Sequence, residues 1–143
     1  MKILFTIASA LLSISSWAQS AGAEKPDSSF IYIYRVGQFT GSLANWTISV
    51  DDQKLCKLSN DGYIRVFVKP GKHNISATRS GVGVLKKETE VDIDAEKGNN
   101  YYVACNVKQS VVRSRLEMIE VTKATGIRQM EKLSPDNCQS SSQ

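Results

Sequence analysis

Histidine occurs once in this chain of 143 residues and cysteine three times. Neither stands in company that makes chemistry. A lone His73 leaves no second imidazole for a metal, and no Ser/His/Asp arrangement can be singled out for nucleophilic catalysis. Cys56, Cys105 and Cys138 lie far apart with no CxxC, so no thiolate metal site is spelled out. Long apolar runs are missing too: the longest is Ile3 to Ile14, about twelve residues against the ~20 needed to span a bilayer. Basic residues outnumber acidic ones by 18 to 14, yet the signs interleave, as in Lys86-Lys87-Glu88-Thr89-Glu90. With no Lys/Arg stripe there is no nucleic-acid signature. The mild basicity favours anionic envelope polymers only weakly. No internal repeat is present, and no metal, cofactor or catalytic set is implied.

What is there begins with export. Met1-Lys2 is a short basic start, Ile3 to Ile14 an apolar run, and Ser16-Trp17-Ala18 places small residues at −3 and −1. This is the pattern of a signal peptide over residues 1–18, cleaved before Gln19, with Ala21-Gly22-Ala23 offering a second site. An uncleaved anchor is the competing reading. No cysteine follows the apolar run, so lipid cannot be attached at the new N-terminus. The expected product is an exported protein, periplasmic or secreted, soluble and without a transmembrane segment.

Residues 19–29 read as a flexible lead-in, and residues 30–133 as one domain. Its organising stretch is Leu55 to Ala77, which reads strand, turn, strand, turn, strand. Asn60-Asp61-Gly62 and Pro70-Gly71 supply the turns. Between them Ile64, Val66 and Val68 alternate with Tyr63, Arg65 and Phe67, the period of a half-buried strand. Phe30 to Val36 is apolar on both faces, as in a central or covered strand. Trp46 to Val50 alternates, and Asp51-Asp52 turns it into Gln53 to Leu58. Leu85 to Ile93 reads as a polar strand. Tyr101 to Val107 follows with Tyr101, Val103, Cys105 and Val107 on one face, and the last strand is Arg115 to Thr122. Ala124, Ile127, Met130 and Leu133 recur near helical spacing. Residues 134–143 read as a disordered tail. About eight short strands with regular turns and a short C-terminal helix predict an all-β fold, an antiparallel β-sandwich paired sequentially. The pattern does not separate it from a small barrel.

An odd cysteine count in an oxidising compartment predicts one bridge and one free thiol. If Asp51-Asp52 is a two-residue loop, Leu55 falls opposite Ile48 on the core face and Cys56 points outward. Cys105 lies inward with Val103 and Val107. Side chains pointing apart cannot be bridged, which favours Cys56–Cys138, with the helix and tail laid over that outer face and Cys105 buried as a free thiol.

Five segments carry a resemblance: Ile31-Tyr32-Ile33-Tyr34-Arg35, Val50-Asp51-Asp52-Gln53-Lys54, Asn60-Asp61-Gly62-Tyr63, Lys69-Pro70-Gly71-Lys72-His73, and Lys97-Gly98-Asn99-Asn100-Tyr101-Tyr102-Val103. In this order and spacing they resemble a bacterial envelope family known only as domain of unknown function number twenty-eight forty-six, itself similar to PEGA-type β-sandwich modules. The resemblance covers roughly Ser29 to Leu133. It implies a small β-sandwich in bacterial export proteins, many of them lipoproteins, from which this chain departs by lacking the lipid-attachment cysteine. It supplies no catalytic residues.

The remaining candidates each have a plainer reading. His73 reads as a polar residue starting a strand. Asp51-Asp52 and Asp92/Asp94 read as turn and surface carboxylates rather than a calcium or acid–base pair. Asn45-Trp46-Thr47 and Asn74-Ile75-Ser76 match the glycosylation pattern by coincidence. The tyrosines at 32, 34, 63, 101 and 102 pack strands rather than forming a sugar-stacking platform. One juxtaposition remains. If successive strands alternate in direction, loops 37–45, 59–62, 80–84 and 108–114 share one end of the sandwich. That end gathers Phe39, Leu43, Val82, Val111 and Val112, with Trp46 and Arg113 at its margin, as a candidate partner-binding surface. The alternative is that these side chains fold back to cap the core. The function expected is a non-enzymatic binding or structural module of the bacterial periplasm or envelope, its partner an unknown envelope component or protein. The competing function is a periplasmic enzyme inhibitor or stress-protective factor of the lysozyme-inhibitor type.

Overall fold

The computed structural model describes residues 28–79, 89–111, 114–136 and 138. Nine strands and one helix follow in order: β1 (Ser29–Arg35), β2 (Trp46–Val50), β3 (Gln53–Leu58), β4 (Gly62–Val68), β5 (Gly71–Thr78), β6 (Glu90–Ala95), β7 (Asn100–Gln109), β8 (Ser114–Val121), α1 (Lys123–Met130) and β9 (Ser134–Pro135). Two sheets form. Sheet A runs β8-β7-β1-β4-β9 and sheet B runs β3-β2-β5-β6. They face each other as a β-sandwich.

The turns behave as their residues demand. Asp51 and Asp52 both take positive φ, 50° and 63°, the conformation of a two-residue type I′ hairpin. Asp61 does the same at 59°. Alternation then sorts the side chains. Ile31, Ile33, Trp46, Ile48, Ile64, Val68, Ile75, Ile93, Val103, Cys105, Val107, Leu116 and Met118 form the buried core between the sheets. Strand β1 is apolar on both faces because it is central in sheet A and covered outside. There Tyr34, Tyr102 and Ala104 form a second cluster, with Tyr32, Tyr63, Val121, Met130 and Leu133 packed against it.

Pairing is not sequential throughout. The hairpins β2–β3 and β7–β8 pair neighbours, as do β5 and β6. Strand β1, however, pairs antiparallel with β4 and parallel with β7. The chain crosses between sheets at β1–β2, β3–β4, β4–β5 and β6–β7, because each sheet must present its apolar face to the other and local turns do not dictate which sheet a strand joins.

The C-terminal segment departs from expectation in three ways. Helix α1 lies over the outer face of sheet A, not over Cys56 on β3. Its inward face is Gly126, so close to Tyr102 that a Cβ would overlap the ring. Met130 follows on that face, while Ile127 is 48% exposed. Residues 134–135, expected in a disordered tail, pair in parallel with Gly62-Tyr63 as β9. Asp136 then accepts from the Ser59 N–H at 3.0 Å, and Cys138 bonds Cys56 with a Cα–Cα separation of 5.5 Å.

The disulfide forms as expected, with Cys105 buried and free, but the register behind that expectation does not. A bulge between Ile48 and Ser49 pairs Ile48 with Cys56 and Ser49 with Lys54. Leu55 is thereby turned outward, 40% exposed, and Cys56 packs against the core alongside Cys138. Cys56 and Cys138 meet at the side where β3 approaches β4. The expected strand over Leu85–Ile93 is seen as β6 from Glu90, the residues before Thr89 lying outside those described.

Candidate functional site

Strand directions alternate from β1 to β8, in keeping with the antiparallel and parallel pairings, and β9 runs the same way as β8. The connections β1–β2, β3–β4, β5–β6 and β7–β8 therefore share one end, and β2–β3, β4–β5 and β6–β7 the other.

At the first end the β1–β2 loop is built on a buried cation. Arg35 closes β1 with 0% exposure and points inward, following Ile31 and Ile33. Its guanidinium donates to the Ala44 carbonyl and the Gly41 carbonyl, both at 2.6 Å. Burial pulls its pKa below the ordinary value, against Cys105 and Asp61, which raise it. A guanidinium keeps its charge through such a shift, and here backbone oxygens take the place of a counter-carboxylate. Its Nε has no partner among the described residues. Gly41 takes φ +78°, and a Cβ there would press on Val107 at 2.9 Å. Gln38 ties the same loop sideways: its N–H donates to Asn60 Oδ1 at 3.1 Å, and its Oε1 accepts from the Val107 N–H at 2.8 Å.

On this fixed loop Phe39 is 99% and Leu43 97% exposed, and Val111 is fully exposed on the β7–β8 connection. These three do not fold back over the core. Trp46 does not belong with them: at 1% exposure it is a core residue, because the first residue of β2 faces inward with Ile48 and Val50. Arg79 lies over its ring, 5.9 Å from the centroid. Val82, Val112 and Arg113 lie outside the described residues. Arg35, Gln38 and Asn60, which hold the loop, were not marked out by the sequence reading. The available signal was an arginine ending an otherwise apolar strand.

The opposite end carries the one histidine. His73 Nδ1 lies 2.7 Å from Asp51 Oδ2, and Nε2 lies 2.7 Å from the Lys69 carbonyl. Asp51 also accepts from the Asn74 N–H at 3.0 Å. Burial opposes the imidazolium most, yet the bonds to Asp51 and Lys69 outweigh it and hold the His73 pKa above its ordinary value. Asp51 is held below the ordinary carboxylate value, first by His73 and then by the Asn74 N–H. With both ring nitrogens engaged, His73 has no free lone pair for base catalysis. It latches the β2–β3 hairpin to the β4–β5 turn. Asp92 accepts from Asn74 Nδ2 at 2.7 Å. Among the described residues no cluster of His, Cys, Asp and Glu could hold a metal ion.

Cys105 is 1% exposed, and burial pushes its pKa up to about 12 although Arg35 pulls the other way. It is a neutral thiol away from solvent. The tyrosines are packing residues. Tyr34 and Tyr102 are buried, Tyr32 stacks on Tyr102 at 5.1 Å, and the Tyr101 hydroxyl accepts from the Glu96 N–H at 2.7 Å. Burial raises the pKa of both Tyr34 and Tyr102. Among the described residues, no helix is long and apolar enough to cross a membrane.

Open cavities lie on the outer face of each sheet among the described residues. One of about 420 Å³ covers the polar outer face of sheet B around Ser49, Lys54, Ser76 and Glu90. The other, about 360 Å³, lies on the outer face of sheet A beside the end of α1. In comparison with known proteins, a family model described as "Protein of unknown function (DUF2846)" matches residues 25–116. No curated protein gives a significant match.

Proposed function

The chain belongs to the DUF2846 family, whose function is undefined, and from the geometry of its loop end we propose that it is a non-enzymatic, exported binding module of the bacterial envelope. The observation that carries this reading is the full exposure of Phe39, Leu43 and Val111 on one end of the sandwich. Leaving large apolar side chains in water costs roughly 1.5–3 kcal/mol each relative to burial, a cost recovered when a partner covers them. The turns of the opposite end carry Asp51, Lys69 and Lys72 instead.

A specific feature favours a second reading, an inhibitor of an enzyme entering the periplasm. Arg35, Gln38 and Asn60 hold the β1–β2 loop in one shape, and a pre-ordered convex loop loses little entropy on entering a cleft. Export rests on the basic start and apolar run over residues 1–14, and a mature N-terminus at Gln19 is the expected product.

The test replaces Phe39, Leu43 and Val111 together with serine and compares capture of envelope proteins with binding to purified peptidoglycan. Lost capture at unchanged melting temperature supports the site. A lowered melting temperature with capture intact would mean that the three residues serve only stability.

A further inference from the structure

The cavity on the outer face of sheet A has one small residue, Ala104, in its lining. Ala104 on β7 sits level with Tyr34 on β1 and Ile119 on β8. Helix α1 covers the neighbouring Tyr102 but stops short of this level. A hollow of about 360 Å³ opens here, within the range of small-molecule sites. Its apolar lining is not closed by the protein: Ile119 is 45% and Val36 38% exposed.

The polar lining has a defined sense. The Tyr34 hydroxyl donates to Gln129 Oε1 at 2.5 Å, and the Val107 N–H donates to Gln38 Oε1 at 2.8 Å. The Val107 N–H can only donate, and so fixes which way the Gln38 amide is turned. What both glutamines retain is an Nε2 amino group with no acceptor among the described residues. Asn106 adds a third carboxamide on the same wall. None of the lining residues is charged, so an ionic ligand would lose hydration with no counter-charge in return.

We propose that this hollow binds a small neutral ligand carrying an acetamido-type group, its methyl against Ala104 and Val121 and its carbonyl accepting from Gln38 and Gln129. N-acetylated sugars and N-acylated peptide fragments share that chemistry. The hollow opens on the outer face of sheet A and meets the β1–β2 loop only at Val36 and Gln38, so its test does not depend on a partner captured by Phe39, Leu43 and Val111.

The experiment is an amide-resolved NMR titration of the mature protein with N-acetylglucosamine, N-acetylleucinamide, glucose and acetate. Saturable shifts at Ala104, Asn106, Ile119 and Gln129 are expected in the millimolar range with at least one acetamide. Which acetamide is preferred separates the sugar from the peptide source. Glucose and acetate should give less than a tenth of the shift at equal concentration. The Ala104→Trp variant places a large ring in the hollow and should abolish the shifts. If its melting temperature falls, Ile119→Arg at the exposed rim serves instead. No saturable shift with either acetamide, equal shifts with glucose or acetate, or shifts that survive the filling variant would each overturn the assignment.

Discussion

Arg35 decides more of this surface than the residues it displays. Its two bonds to loop carbonyls turn ten residues of connection into a fixed platform for Phe39 and Leu43. Arg35→Met keeps apolar bulk but leaves the Ala44 carbonyl without a donor, at ~1–3 kcal/mol, while the Gly41 carbonyl keeps the Ala44 N–H at 2.9 Å. Relief from burying a charge offsets part of that. A net loss of about 1–2 kcal/mol in urea unfolding follows from these terms, with faster proteolytic cutting inside residues 36–45. An unchanged midpoint and cutting rate would show that the guanidinium does not carry the loop. At the other end, His73 and Asp51 set a pH window. The His73 pKa is raised, so its contribution is complete below 6.5, its ordinary value, and fades as pH rises through the folded value. Asp51 is lowered, so its contribution is complete above 3.8 and fades as pH falls through its folded value. Stability from this pair is therefore greatest between those two values. Urea midpoints measured across pH should show the decline on both sides, and His73→Gln should remove the alkaline one. A His73→Gln profile matching the parent would contradict the latch.

At the scale of elements, local chemistry was legible and long-range choice was not. The Asp51-Asp52 turn, the inward Ile64, Val66 and Val68, and the doubly apolar β1 all follow from period and turn residues. The bulge between Ile48 and Ser49 does not, because one extra residue on β3 costs little locally while reversing which side chains face inward. Hence Cys56–Cys138 is expected from a register that the bulge overturns, and Trp46, expected at the margin of the loop end, is buried because β2 begins facing the core. The helix was legible in its span but not its buried side, which turns on Gly126 fitting against Tyr102 rather than on its larger apolar residues. The tail is the element most dependent on a covalent tie. The bridge closes a loop of 82 residues, and chain-entropy arguments give such a loop about 4 kcal/mol. Cys56→Ser with Cys138→Ser should lower unfolding stability by that order. Hydrogen exchange should rise first in α1 and β9, since a helix of two turns does not hold on its own. Uniform exchange across both sheets, with α1 still protected, would mean that the bridge does not anchor the tail.

At the scale of the whole molecule, eight strands alternate in direction between two sheets, so the protein has two chemically distinct ends. One is a set of polar turns latched by His73. The other presents Phe39, Leu43 and Val111 to solvent on a loop fixed from within. The alternation followed from turn spacing, but the order of strands in each sheet did not, since β1 lies between β4 and β7 by packing across the core. The central claim is that the apolar end meets a partner, and site-specific photo-crosslinking in the native host tests it most directly. A photoreactive residue is placed in turn at Phe39, Leu43 and Val111, and as controls at Thr47 and Asp92 on the outer face of sheet B. The account predicts one discrete adduct shared by the first three positions and absent from both controls. Adducts of equal yield from all five positions, or none from the loop end, would contradict it.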